Sequence, residues 1–240
     1  MLFINVNRVN RQLHKDFSNV AYGAGNLPEI ISTFWYLVGH YPIKEVYIGI
    51  SPEIYNLHNS RNRVEGVTHI FNNSLLYYSN FNVLQASFFT VKSILFPKNV
   101  NAAENPLSKS KVWNYVLKWK TDRYLRNYNY PETYYQELKN IGEYCKANQI
   151  RLTFVIPPLH QDFQHIIDSM KLTRYQNKMV SDLKSISEVY NFNFRNDITV
   201  DSSRFKDPVH VTDTIYKIVI EPLLFQTGNP DIQISKYVLH

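Results

Sequence analysis

The sequence predicts an α/β fold: a three-layer sandwich built on a mostly parallel sheet. Short β-rich runs alternate with helical stretches of ten or more residues, the pattern of βαβ crossovers that cover a parallel sheet on both faces. Two of those runs stop sharply, at Ser51-Pro52 and at Pro157-Pro158. The 240 residues are 44% hydrophobic and 19% charged, which suits one large domain with a substantial core. With no internal repeat and no flexible linker, residues 1–240 read as a single domain.

Leu2–Val6 reads as a first strand and Phe17–Tyr22 as a second, after which Gly23 and Gly25 break regular structure. Pro28 opens a helix, where a missing N–H costs nothing, and Ile30, Ile31, Phe34, Trp35, Leu37 and Val38 follow at helical spacing. Glu45–Ile50 is the next strand. A helix over Glu132–Asn148 gathers Tyr134, Leu138, Ile141 and Cys145 on one face, and Arg151–Ile156 is the clearest strand. Tyr175–Tyr190 reads as a helix with Met179, Leu183, Ile186 and Tyr190 as its stripe, and Phe192–Phe194 as a short strand. A last helix starts near Thr212 and carries Ile215, Ile218, Val219 and Leu223. From about 55 to 130 the rhythm breaks into a helical insertion or lid, with helices at Leu84–Leu95 and Val112–Tyr124.

Aromatic content reaches 15%, which fits either AT-rich coding or a surface that stacks on sugar rings. A net charge of +6 favours anionic partners only weakly, because it is dispersed. The lone Cys145 excludes an internal disulfide and sits on a helix stripe as a core thiol. Without an 18-residue apolar run or a signal-like segment, a cytoplasmic location is expected; a lost upstream segment would make the protein membrane-associated or exported.

The segment Phe205-Lys206-Asp207-Pro208-Val209-His210-Val211-Thr212 carries the sharpest chemical signal. At Asp-x-x-His spacing one turn of chain brings the carboxylate onto the imidazole. Asp207 then fixes the tautomer of His210, whose far nitrogen works as general base. Taken alone, the same spacing also suits an Asp or His capping the last helix. Pro208 holds Asp207 toward extended backbone.

The ordered set of segments resembles the SGNH (GDSL-like) hydrolase and acyltransferase superfamily, in the branch associated with bacterial surface-polysaccharide O-acetylation. Asn19–Gly25 resembles the block holding that family's second conserved glycine. Lys44–Ser51 resembles the third-block strand, Ile150–Pro158 the strand ending in Pro-Pro, and Asp207–His210 the fifth block. The resemblance is in order and spans the chain outside the insertion. It implies a flavodoxin-like sandwich and an ester hydrolase or O-acyltransferase acting on a glycan, with catalytic His210 and Asp207 and no cofactor or metal. Gly25, Gly23 and Ser51 would be oxyanion donors, and Arg8 and His160 substrate contacts. The family's serine nucleophile corresponds to Asn7, and an amide cannot form an acyl-enzyme. The third-block Asn is replaced by Ser51 or Pro52; losing such a donor costs about 2.7–4 kcal/mol of transition-state stabilisation. Three explanations stay open: a reading frame that starts late, a homologue that binds without reacting in polysaccharide assembly, or another serine, such as Ser18, reaching His210.

His160 and His165 lack the i, i+4 zinc spacing and read as loop or helix-start histidines. Lys109–Tyr130 interleaves Lys and Arg with Trp113, Trp119 and Tyr, which suits either base stacking or a helix with its aromatics packed inward. The expected partners are a glycan or acyl-ester substrate and a membrane-associated assembly partner, with no nucleic acid. The chain has neither G-x-x-x-x-G-K nor G-x-G-x-x-G, and no G-x-S-x-G elbow, which excludes the ordinary α/β-hydrolase pattern.

Overall fold

The computed structural model describes residues 18–21, 23, 25–71, 73–95 and 108–217. The expected first strand, Asn7, Arg8 and the stripe residues Ile218, Val219 and Leu223 lie outside these.

Helix α1, Leu27–His40, starts at a capping box in which the Asn26 N–H donates to Glu29 Oε2 at 2.9 Å. Strand β1, Glu45–Gly49, follows after a short turn. The insertion carries α2 (Arg63–Phe71), α3 (Ser74–Ser79), α4 (Phe81–Leu95) and α5 (Lys109–Lys120). A π-turn over Thr121–Leu125 extends α5, closed by the Arg126 N–H donating to the Thr121 carbonyl at 3.1 Å. Helix α6 (Glu132–Ala147) leads into β2 (Arg151–Ile156). Helices α7 (Gln161–Ser169) and α8 (Thr173–Ile186) then lead into β3 (Glu188–Asn191). The described chain closes with a bulged hairpin of β4 (Phe205–Asp207) and β5 (His210–Val211) and a short α9 (Asp213–Ile215).

Strands β1, β2 and β3 form a parallel sheet in that order, with Ile48 beside Phe154 and Phe154 beside Val189. On one face Leu152, Phe154 and Ile156 pack with Ile31 and Phe34 of α1, Leu138, Ile141 and Cys145 of α6, and Met179 and Leu183 of α8. The alternation of the strand puts Thr153 and Val155 on the other face, where both are fully buried. Helices α6 and α8 approach closely at Gly142, where an added Cβ would stand 2.4 Å from Ile186 Cγ2.

Three expectations need correction. Residues 18–21 of the anticipated second strand are not strand: the Asn19 side chain accepts from the Ala21 N–H at 2.9 Å, a local turn that competes with a ladder. Helix α8 ends at Ile186, not Tyr190, and the third strand begins at Glu188 and does not span Phe192–Phe194. The helix near Thr212 is preceded by the unforeseen β4–β5 hairpin.

Candidate functional site

Parallel strands deliver their loops to one rim, and the Asp207–His210 turn sits there. Behind it runs the loop after β2, whose His160 N–H donates to the Pro208 carbonyl at 2.9 Å. Beneath it Val209 packs with Tyr124, Leu125, Leu159, Phe163 and Ile167. Asp207 Oδ1 accepts from the Val209 N–H at 2.9 Å, an Asx turn that Pro208 fits by its fixed φ. Its other oxygen, Oδ2, lies 2.7 Å from His210 Nδ1.

Burial works to raise the pKa of Asp207. The hydrogen bond and charge of His210, the Val209 N–H and the Lys120 ammonium outweigh it and hold the carboxyl below its ordinary range. The ionised Asp207 accepts, so Nδ1 carries the ring proton and Nε2 presents a lone pair. The His210 side chain is 42% exposed against 17% for Asp207, so the carboxylate is sheltered while the ring faces solvent. An imidazole so held can take a proton from a hydroxyl or water and return it to a leaving group.

Two side chains beside this turn carry a charge pair that spacing did not reveal. Glu53 follows the Ser51-Pro52 stop of β1 and is buried; Lys120 closes α5 and reaches it at 2.8 Å. Burial works to raise the Glu53 pKa, and the Lys120 charge and hydrogen bond overcome it to leave the carboxyl lowered. Asn56 is also buried and ties the same loop to the π-turn, donating to the Tyr124 carbonyl at 2.6 Å and accepting from the Asn129 N–H at 3.0 Å. No sequence signal marks these residues, because their partners lie more than 60 residues away.

The other anticipated residues fall as follows. Ser51 lies two residues past β1 on the same rim and is buried, its carbonyl accepting from the Ile54 and Tyr55 N–H groups. Gly23 and Gly25 precede α1, and the Gly23 carbonyl accepts from Arg63 Nη2 at 3.1 Å; neither glycine is hydrogen-bonded to Asp207 or His210. Ser18 is exposed in irregular chain. His160, expected to touch substrate, is only 3% exposed and is enclosed edge-on by Trp113 and Phe205. Its Nδ1 accepts from the Asp162 N–H at 3.2 Å as the cap of α7, and burial lowers its pKa, which keeps the ring neutral. The stacking residues Trp113 and Tyr124 are likewise turned into the core.

Cys145 is buried, its thiol pushed up to about 11 by desolvation. It lines a depression of about 360 Å³ with Gly142, Ile150 and Ser187, at the starting ends of β2 and β3 and so opposite the rim that holds His210. Among the described residues no group of three or more His, Cys, Asp or Glu is placed to hold a metal, and no helix is long and apolar enough to cross a membrane. No family model and no curated protein matches the chain.

Proposed function

We propose that this protein is an SGNH-like ester hydrolase or O-acyltransferase acting on a glycan, built on a three-layer sandwich, with His210 as general base and Asp207 as its orienter. One observation carries the reading: a carboxylate held 2.7 Å from Nδ1 of a half-exposed imidazole, on the rim where parallel strands end. The full burial of Thr153 and Val155 supports the third layer. In the reaction, His210 Nε2 removes the proton of an attacking hydroxyl as its oxygen bonds to the ester carbonyl. The imidazolium, steadied by Asp207, then protonates the departing alkoxide as the acyl C–O bond breaks.

A second reading, a non-catalytic glycan-binding member of the same superfamily in polysaccharide assembly, is motivated by Asn7 at the expected serine position. Hydrolysis of p-nitrophenyl acetate separates the two. The first reading expects kcat/KM to fall by about 10²-fold or more in His210→Ala. Equal rates for wild type and variant would remove His210 from the chemistry. If Asn7→Ser also gives no turnover and no acyl adduct, the binding reading is favoured.

A further inference from the structure

Helix α4 is built unlike the helices that cover the sheet. Its main packing partner is the short α3, and it turns an apolar stripe to solvent. Phe81, Leu84, Phe88, Val91 and Leu95 fall on one face at 100° per residue, and each is 53 to 74% exposed. The stripe runs the whole 15 residues, about 22 Å. Single exposed hydrophobics need no explanation, but a continuous row does.

The character of the remaining surface selects the occupant. A coiled-coil seam is narrow and flanked by charges that set register. Here Phe89 and Ile94 stay exposed beyond the stripe, and the face between them is uncharged, with Ser93, Ala86 and Thr90. No Asp or Glu occurs between Glu65 and Glu104, while Lys92 borders the stripe one turn after Phe88. Tyr78, near the end of α3, is also exposed. An apolar face, a Ser/Thr-type polar face and a bordering lysine, with no carboxylate to repel phosphate, describe a helix that lies in a lipid interface. Its length is too short to cross a bilayer.

We propose that α4 is a membrane-surface docking helix that lies in the plane of an anionic bilayer, with the Phe81–Leu95 stripe among the acyl chains and Lys92 at the headgroups. The inference is independent of the ester chemistry. Flotation of the full chain with phosphatidylcholine–phosphatidylglycerol vesicles tests it, beside the double variant Leu84→Glu/Phe88→Glu. Both positions are exposed, and an unchanged circular dichroism spectrum confirms the fold. Wild type is expected to float with the vesicles and to stay bound in high salt, with binding at least tenfold weaker in the variant. Absence of flotation, equal flotation by the variant, or complete release by salt overturns the proposal. So does a lipid-free dimer, measured by light scattering, that the same substitutions dissociate.

Discussion

Lys120 Nζ stands 2.8 Å from Glu53 Oε1, and the same ammonium helps to hold Asp207 ionised. Lys120 also lies 5.0 Å from the ring centroid of Tyr124, one of the side chains under Val209. The histidine turn is therefore backed by a half-buried cation, itself neutralised from the other side by the buried Glu53.

Removing that cation is expected to strand the Glu53 carboxylate. Lys120→Met should cost about 3–5 kcal/mol in urea unfolding, because a buried charge loses its partner. Lys120→Met/Glu53→Leu, which removes both charges, should recover much of the loss. A double variant as unstable as the single one would mean that the stranded Glu53 carboxylate is not the source of the loss.

Asp207 gives a pH signature. Its folded pKa lies below the unfolded value, so its contribution to stability is fully present above the unfolded pKa of about 3.9 and is lost as pH falls through the folded value. The Tm difference between wild type and Asp207→Asn should shrink as pH falls below about 4. A gap that widens below about pH 4 would contradict the ionised carboxylate.

On the ester-hydrolase proposal, the same substitution should lower turnover of p-nitrophenyl acetate while leaving KM nearly unchanged, because the amide cannot stabilise the imidazolium. A rise in KM with kcat preserved would place Asp207 in substrate binding instead.

Gly142→Ala tests the close approach of α6 and α8. Alanine favours the helix by up to about 1 kcal/mol, but a Cβ 2.4 Å from a β-branched methyl forces the two helices apart. A net loss of about 1–2 kcal/mol is expected, partly relieved when Ile186→Ala is added. A stabilised Gly142→Ala would show that the helices slide freely.

The parts of the fold legible in the sequence are those whose signals are local. Strands β1 and β2 stand out because apolar runs end at Ser51-Pro52 and Pro157-Pro158. The α8–β3 boundary was hidden because Ser187 turns the chain from helix to extended strand with neither Gly nor Pro, while Tyr190 continues the helical spacing from Ile186. The Asp207–His210 contact was legible from a three-residue spacing that a single Asx turn converts into a hydrogen bond. What supports that turn was not. The Val209 packing, the His160–Pro208 bond and the Glu53–Lys120 pair all join segments distant along the chain.

The widened turn at Thr121–Leu125 sets an angle. A π-turn accommodates one residue more than an α-turn, so everything after it is rotated by about 100° relative to an uninterrupted helix. Within that turn Tyr124 and Leu125 form a ledge under the histidine turn, on a helix pinned at its start, where Lys109 Nζ donates to the Ser202 carbonyl at 2.6 Å. Deleting Asp122 would restore ordinary helical phase and swing the ledge aside. The histidine turn would then lose its floor, with Asp207 and His210 still present in the chain.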